Sequence, residues 1–531
     1  MAFRGVIVKK VLVQKDSYFD SVFLMSLSKN LKESPGIDDA VVAMATPMNV
    51  ELLTSQGYAG PELSGASPND LVIAIDCDTA AAVDAAFAAA KELLTRKKAP
   101  SGAVGAAREP ASLSAALELM PDANIALISL PGAYAAREAR KALEKGLHVM
   151  LFSDNVSLED EIELKQLGRE KGLLVMGPDC GTAIINGKPL CFANVVRRGP
   201  IGVVAASGTG LQEVTCLVDF FGSGISQAIG TGGRDLKNEK VGGITMLMGI
   251  QALSQDSATE VIVVVSKPPA PAVAQKVTDA LRKSGKPSVL HFIGLSGAKT
   301  ASATAAAARY EPLSAGNLEE AATMAVALAG KPAGKAAAAD IEAIAERETK
   351  RLAKSQKYVR GYYTGGTVAD EAMFILHKLT GAVHSNNQTD GAFVLPDPKK
   401  SVGHTIVDLG DDVFTVGRPH PMIDPSTRTD RIEAELGDPE IAVMLVDVVL
   451  GYGSHADPAG ALAPVISKAR KAAEARGGYL PVVASVIGTS GDYQGYAGQV
   501  AKLEELGCIV MPSNFRAATL AAAIVKKAAS R

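Results

Sequence analysis

Hydrophobic and polar positions alternate in short runs over the first hundred residues of the chain. Runs with apolar residues at every second position predict strands, and runs with apolar residues three or four positions apart predict helices. Strands are expected at 6–14, 38–45 and 70–75, and helices at 17–31 and 80–94. The pattern predicts a small α+β domain at 1–98, suited to regulation or assembly, and a polar linker follows at 97–110.

From residue 111 onward, apolar runs and helical patterns alternate more regularly. Strands are expected at 124–130, 147–152 and 173–176, with helices at 133–145 and 158–171 between them. Alternation of this kind builds a parallel sheet whose ligands bind at the carboxyl ends of the strands. We therefore predict a Rossmann-like domain at 111–197.

The second half of the chain repeats a pattern found in the first half. An apolar run ends in Ser207-Gly208-Thr209-Gly210, and Glu213 follows; about 160 residues later another run ends in Gly365-Gly366-Thr367, and Glu371 follows. A second pair of similar segments, 289–297 and 482–491, occurs in the same order. The order predicts a duplicated α/β unit at 198–330 and 357–531, joined by a helical stretch at 334–354. The second copy carries an insertion at 384–436.

Each Gly-Thr segment is expected to begin a helix. The first N–H groups of a helix lack intrahelical partners and carry partial positive charge, so they suit a bound anion. Two such helix starts facing each other would bind a phosphate or carboxylate. The alternative is that Ser and Thr only cap their helices, which is their usual role at this position.

Composition narrows the range of partners. The net charge is −3, and the chain has no Trp and no basic stripe, so a nucleic-acid partner is not expected. The five cysteines are scattered without a Cys-x-x-Cys pair, so neither a disulfide framework nor a thiolate metal site is expected. There is no run of about 18 apolar residues and no signal-peptide core. We expect a cytoplasmic protein without a membrane partner.

Several motifs resemble a known family of enzymes. Residues 124–297 resemble the α subunit of succinyl-CoA synthetase, with Gly177-Pro178-Asp179-Cys180, the Ser207–Glu213 segment and Gly230-Thr231-Gly232-Gly233 as the matching stretches. The second repeat is similar to the carboxyl-terminal domain of the β subunit of that enzyme. With the 417–424 segment of the insertion included, the chain is identified as a member of the FdrA family. The resemblance implies an α/β fold: a CoA-binding-type Rossmann domain, two flavodoxin-like domains and the small N-terminal domain.

The resemblance also implies a function. FdrA proteins are named as acyl-CoA synthetases, and members act in anaerobic allantoin breakdown as a subunit of oxamate carbamoyltransferase. That assembly converts oxalurate and phosphate to oxamate and carbamoyl phosphate, so the expected ligands are small anions and the expected partners are companion subunits. The alternatives are an NDP-forming acyl-CoA synthetase subunit and a non-catalytic assembly subunit. A homo-oligomer is expected in each case.

Two departures from the synthetase affect the expected chemistry. The Gly-rich loop that holds CoA phosphates has no counterpart, because Gly102 and Gly105 lie in the polar linker; CoA binding is therefore in doubt, and no cofactor is certain. The segment 295–302 after Ile293-Gly294 contains no His, so the phosphohistidine is missing, and His291 is expected to be a packed strand residue. Direct transfer from an acyl or carbamoyl phosphate fits this sequence better than a nucleotide-driven cycle.

The candidate site residues fall into two groups. The helix-start residues Ser207, Gly208, Thr209, Gly210, Gly365, Gly366 and Thr367 are expected to bind phosphate. Glu213 and Glu371 match glutamates that orient the phosphohistidine in the synthetase, so they are candidate catalytic residues; both also lie where a helix dipole favours a carboxylate.

The remaining candidates lie in loops. Arg418, His420 and Asp424 belong to a proline-rich segment whose stiffened backbone would fix polar side chains, so Arg418 and His420 are candidate catalytic residues and Asp424 a candidate ligand of phosphate. Arg234 is a candidate anion ligand in the corresponding loop of the first repeat. Asp179 and Cys180 follow a strand and are candidate cofactor contacts, although Cys180 is equally explained as a packed thiol.

Overall fold

The structure is a computed structural model that describes residues 8–17, 19, 21–32, 34–77, 79–98, 110, 112–294, 311–332, 340–415 and 418–531. The start of the strand expected at 6–14, most of the predicted linker with Gly102 and Gly105, and the segment 295–302 lie outside these residues. The chain divides into two compact units, residues 1–110 with 416–419, and residues 111–415 with 420–531. Each unit is described by itself.

The first unit is an α+β domain built on a three-stranded antiparallel sheet. The strands are Val8–Gln14, Ile37–Met44 and Leu71–Cys77, and the last lies between the other two. The central strand is buried on both faces because its side chains alternate between two cores. Leu71, Ile73 and Ile75 pack with the helices Ser21–Lys32 and Ala80–Lys98. Val72 and Ala74 pack with the short helices Pro47–Ser55 and Pro61–Ser64.

The segment predicted as one Rossmann-like domain contributes to two sheets. Its strands Ile125–Ile128, His148–Leu151 and Val175–Met176 form a three-stranded parallel sheet. The flanking helices are Leu113–Leu119, Gly132–Glu144 and Leu158–Lys171. The next two strands, Thr182–Ile185 and Lys188–Cys191, form a hairpin that extends the sheet of the first repeat. The turn between them is Asn186-Gly187, and both residues have the positive φ that a tight hairpin turn requires.

The first repeat has a doubly wound parallel sheet. Its strands are Arg198–Ala206, Ile225–Gly230, Val261–Ser266, Ser288–Phe292 and Leu313–Ser314. Numbered along the chain, their spatial order is 2-1-3-4-5, the order of flavodoxin-like folds. The helices are Gly208–Phe220, Arg234–Lys237, Ile244–Gln255, Pro271–Lys283 and Leu318–Leu328.

The second repeat has the same strand order. Its five corresponding strands are Tyr358–Tyr363, His404–Asp408, Ile441–Val449, Val482–Ile487 and Ile509–Met511, with Val383–His384 as an added edge. The helices are Gly366–Thr380, Asp412–Thr415, Ser426–Glu433, Pro458–Ala475, Tyr496–Glu505 and Asn514–Ala529, with a 3-10 turn at Gly391–Phe393. The shared order confirms the expected pair of flavodoxin-like domains.

The two repeats share one hydrophobic core. Buried side chains of the helices Gly208–Phe220 and Leu318–Leu328 in the first repeat belong to the same cluster as those of Gly366–Thr380 and Asn514–Ala529 in the second. The helical stretch predicted at 334–354 contains the helix Ile341–Thr349, which packs against Asn514–Ala529. Because these helices bury apolar surface against each other, the duplicated units form one body with their first helices side by side.

Candidate active site

The two helix starts predicted to face each other are in direct contact. The hydroxyl of Ser207 donates a hydrogen bond to Thr367 Oγ1 over 2.8 Å, and the Thr367 amide donates to Thr209 Oγ1 over 3.3 Å. Glycines allow the close approach. A methyl carbon at Gly365 would lie 2.6 Å from Thr209 Cγ2, and one at Gly210 would lie 2.9 Å from Thr367 Cγ2. The two helix starts therefore meet, as expected from the repeat.

The contact changes the role of the hydroxyl groups at this junction. Thr209 and Thr367 are buried and bond to the opposite repeat, and Ser207 Oγ also accepts the Gly210 amide as a helix cap. These three side chains hold the two repeats together, and their expected role in binding a phosphate stays a prediction. Gly208 is exposed and Gly366 half-buried, so the backbone at these two positions is the part of the junction open to a ligand.

Glu213 and Glu371 cap helices across the repeat boundary. Glu213 Oε1 accepts the Asn514 amide at 3.0 Å, and Glu371 Oε1 accepts the Leu318 amide at 2.8 Å. Each glutamate thus satisfies the first turn of a helix in the opposite repeat, a symmetric exchange that the duplication allows. Burial raises the pKa of Glu213 to about 8 and that of Glu371 to about 7. Both side chains contribute to the interface, and their expected catalytic role stays a prediction.

A polar cluster lies beside the second helix start, where strands from both repeats end. Lys267, directly after a first-repeat strand, forms a 2.8 Å ion pair with Asp370. Asn387 Nδ2 donates to Asp370 Oδ1 at 3.2 Å and to Asp408 Oδ2 at 2.9 Å. A methyl carbon at Gly366 would overlap the Asp408 carboxylate and lie 3.4 Å from Lys267 Nζ. Lys267, Asp370, Asn387 and Asp408 therefore surround the first residue of the helix Gly366–Thr380.

The charges of this cluster perturb one another. Burial raises the pKa of Asp408 to about 6, although Lys267 and the hydrogen bond from Asn387 oppose that rise. Burial by itself would lower the pKa of Lys267, but the carboxylates of Asp370 and Asp408 outweigh burial and raise it. At neutral pH the cluster holds a charged lysine beside an ionised Asp408. Groups with perturbed pKa values at a strand-end junction are typical of an active site.

His420 provides a hydrogen-bond donor close to Asp408, at the end of the strand His404–Asp408. Its Nδ1 accepts the Met422 amide at 3.2 Å, so in the neutral ring the proton is on Nε2. Burial lowers the pKa of His420 to about 4, so the ring is neutral at pH 7, and it packs against Phe192 with ring centres 5.5 Å apart. A methyl carbon at Gly410 would lie 2.5 Å from His420 Nε2 and 3.2 Å from Asp408 Oδ1. The imidazole N–H and the Asp408 carboxylate thus flank Gly410.

The other loop candidates have structural partners. Asp424 accepts the Ser426 amide at 3.0 Å just before the helix Ser426–Glu433, and its expected contact with phosphate stays a prediction. In that helix, Arg428 forms a buried pair with Asp447 at 2.9 Å. Asp447 in turn accepts the amides of Thr364 and Gly365 and fixes the second helix start. Arg418 belongs to the first unit, so its expected place in the cleft stays a prediction.

Arg234 and Cys180 have structural partners. Arg234 Nε pairs with Glu161 at 2.7 Å and Nη2 donates to Val156 O, which joins the first repeat to the preceding sheet. Burial raises the pKa of the Cys180 thiol to about 12, and Cys180 is only 2% exposed, as a packed thiol would be. Their expected contacts with an anion or a cofactor stay predictions.

Asp179 remains a candidate at the margin of this cleft. The residue is exposed, yet surrounding protein desolvates its carboxylate, and Asp154 and Asp412 add negative charge, so its pKa rises to about 6. Lys267 and Arg234 act in the opposite direction. The charge of Lys267 lowers the pKa of Asp179, so Asp179 lies near enough to the polar cluster to interact with it.

The sequence analysis missed Lys267, Asp370, Asn387 and Asp408 as members of one site. The available signal was the position of Lys267 and Asp408, each at the carboxyl end of a strand where doubly wound sheets bind ligands. The segment Asn386-Asn387-Gln388 is open to two interpretations from sequence, an amide-binding segment or a turn, and its place beside Asp408 depends on how the insertion folds back on the sheet.

Comparison with known proteins places the chain in a family. A protein of Escherichia coli (strain K12) named "Uncharacterized protein YahF" is 45% identical over 526 residues, covering 98% of this chain and 99% of that protein. The chain belongs to the YahF family. Three family models match its parts: "AllF, heavy metal-associated domain" at 7–110, "CoA binding domain" at 197–294 and "CoA-ligase" at 362–524. The YahF family therefore combines a small N-terminal domain with succinyl-CoA-synthetase-like domains.

More distant relatives agree with these domain assignments. The α subunit 2 of succinate–CoA ligase [ADP-forming] from Archaeoglobus fulgidus is 25% identical over 150 residues, which cover 28% of this chain and 50% of that subunit. The Aquifex aeolicus α subunit is 28% identical over 151 residues, which cover 27% of this chain and 48% of that subunit. A solved acetyl-coenzyme A synthetase 1 from Ca. Korarchaeum cryptofilum aligns over 77% of this chain and 84% of that chain at 16% identity, with a TM-score of 0.32. That score is too low to relate the two structures.

The names of two matched models imply ligands, and the residues of the N-terminal domain do not fit a metal. In that domain Cys77 is the only cysteine, and its buried thiol donates to Thr79 O; no group of three metal-ligating side chains occurs among the described residues. The model named for CoA matches residues 197–294, which include the helix Gly208–Phe220 whose start contacts the second repeat. Within the described ranges, no helix is long and apolar enough to cross a membrane.

Proposed function

We propose that this chain is a subunit of an acyl-CoA-synthetase-like enzyme, and that its cleft handles a small acid together with the phosphate that activates it. The observation that carries the proposal is the joined pair of helix starts between the domains matched as CoA-binding and CoA-ligase.

The cleft residues suit an acyl phosphate. Lys267 supplies a positive charge beside the N–H groups at Gly366, and together they would stabilise the oxygens of a phosphoryl group. The neutral His420 would donate its Nε2–H to a carbonyl or carboxylate oxygen at the neighbouring strand end. Donors held in place by buried partners need no reorganisation when charge develops, which is the main contribution such a site makes to rate.

Carbamoyl transfer is the second candidate, in line with the FdrA resemblance. The observation that favours it is the segment 295–302, which contains no His and so offers no phosphohistidine relay. A carbamoyl phosphate would bring its own activated group, and oxamate and oxalurate are small anions of the kind this cleft would hold.

A pair of assays separates the two candidates. The purified chain, with and without candidate companion subunits, is incubated with acetyl or succinyl phosphate plus CoA, and separately with carbamoyl phosphate plus oxamate. Thioester formation supports the first candidate, and oxalurate formation with phosphate release supports the second. Absence of both products in every combination would contradict the proposed chemistry.

A further inference from the structure

We propose that the side-chain carboxylate of Asp408 is the phosphoryl acceptor of this site and forms a transient aspartyl phosphate. The inference rests on the proposed function and assigns to Asp408 the acceptor role that a histidine has in the resembling synthetases. No step of the proposed function requires a covalent intermediate, so the two can fail separately.

The position of Asp408 is the first support. It ends the strand His404–Asp408 and lies against Gly366, the first residue of the helix whose start meets the other repeat. Residues of both repeats and of the insertion surround the Asp408 carboxylate. They are Lys267, Gly366, Asn387 and Gly410. It is thus at the junction between the domains and at the carboxyl edge of the sheet, where ligands of doubly wound folds bind.

The contacts of the carboxylate are the second support. Oδ1 accepts the Gly410 amide at 2.9 Å, and Oδ2 accepts Asn387 Nδ2 at 2.9 Å, so the group is held in one orientation while each oxygen keeps a second lone pair. Asp408 is 6% exposed, and Lys267, whose side chain is 37% exposed, lies beside the same Gly366. A phosphoryl group that approaches past Lys267 would meet its ammonium before it meets the carboxylate.

The proposed step balances. A lone pair of an Asp408 oxygen forms a bond to the phosphorus of an acyl or carbamoyl phosphate, while the bond from phosphorus to the bridging oxygen breaks and its electron pair leaves with the carboxylate or carbamate. The donor and the aspartyl phosphate are both mixed anhydrides of a carboxylic or carbamic acid with phosphoric acid. The phosphoryl group therefore keeps nearly all of its transfer potential. No oxidant, reductant or further reactant is needed.

The test is direct trapping of the intermediate on the full-length chain. The wild type is incubated with acetyl phosphate or carbamoyl phosphate labelled at phosphorus, and the label is tested for acid stability and for release by hydroxylamine. Reduction with borohydride converts an aspartyl phosphate to homoserine, which peptide mass spectrometry locates. We expect homoserine at position 408, loss of label in Asp408→Asn, and full label in Asp397→Asn, which changes an exposed carboxylate of the same insertion.

Each outcome decides the inference. Label on another residue, or equal label in Asp408→Asn, overturns it. Turnover of an acyl phosphate by the wild type without trapped homoserine at 408 overturns it and leaves the proposed function standing. Absence of both turnover and label overturns both. Because the trapping uses the wild type, a folding defect in the variant does not affect the result.

Discussion

At the scale of single residues, the cleft depends on which groups are charged near neutral pH. Burial raises the pKa of Asp408 to about 6 and lowers that of His420 to about 4, so above pH 6 the carboxylate is ionised and the imidazole is neutral. At their ordinary pKa values the order is reversed, with aspartate titrating at about pH 4 and histidine at about pH 6.5. The environment, rather than the residue types, sets these states.

This charge pattern predicts an acid limb in the rate profile. As pH falls through about 6, Asp408 takes up a proton and loses the lone pair needed for attack, so kcat/KM should fall about tenfold per pH unit below that point. His420 stays neutral down to about pH 4 and should add no second limb. The measurement is a pH profile with acyl phosphate as substrate. Asp179→Asn should keep the limb; a profile that loses it in this variant would assign the titration to Asp179 instead.

At the scale of helices, the duplicated units are held together by exchanged caps and by small residues at the helix starts. Gly365 leaves room for Thr209, and Glu213 and Glu371 each cap a helix of the opposite repeat. These contacts explain why the motif Gly-Thr with a following Glu occurs twice. Its repetition maintains a symmetric interface, and the anion site has to be built from residues beside it.

Crowding one helix start should destabilise the interface. Gly365→Ala places a methyl group 2.6 Å from Thr209 Cγ2, and overpacking of this kind costs roughly 1–3 kcal/mol of unfolding free energy. The matched control is Gly498→Ala in the helix Tyr496–Glu505, where no atom lies within 4 Å of the added carbon and Ala should stabilise slightly. Urea unfolding measures both. Equal stabilities for the two variants would contradict the contact.

The buried glutamates predict a pH-dependent stability. The pKa of Glu213 is about 8 in the folded chain and ordinary in the unfolded chain, so its contribution is complete at low pH and is lost as pH rises toward 8. Glu213→Gln keeps an oxygen for the Asn514 amide without the buried charge. Relative to wild type, its unfolding free energy should therefore increase between pH 5 and pH 8, by at most about 1.4 kcal/mol per pH unit. A difference that does not change with pH would show that Glu213 ionises at its ordinary pKa in the folded chain, which contradicts the effect of burial.

At the scale of the whole molecule, the sequence predicted the architecture better than the site. Hydrophobic periodicity and the repeat predicted two α/β units, because a parallel sheet needs the same buried strands in each copy, and the family resemblance implied their flavodoxin-like fold. The hairpin Thr182–Cys191 was missed because its strands are short, although Asn186-Gly187 is a turn signal. The roles of Thr209 and Glu213 depended on how the repeats face each other, which local sequence does not encode.

The oligomeric state of the protein, and its association with companion subunits, remain predictions. The names of the succinate–CoA ligase relatives describe them as α subunits, that is, as parts of larger enzymes. The chain matches about half of their length. We expect at least a homodimer, with turnover that rises when companion subunits are added. Light scattering after gel filtration gives the mass; a monomer with full turnover by itself would contradict the expectation.

The most direct measurement of the central claim is equilibrium binding of inorganic phosphate and acetyl phosphate by isothermal titration calorimetry. The account predicts that the wild type and Lys283→Met, which removes an exposed lysine of the helix Pro271–Lys283, bind alike. Lys267→Met should bind about tenfold or more weakly, the loss expected for one charge-assisted contact. Equal affinity in Lys267→Met, or no binding by the wild type, would contradict an acyl-phosphate site at the joined helix starts.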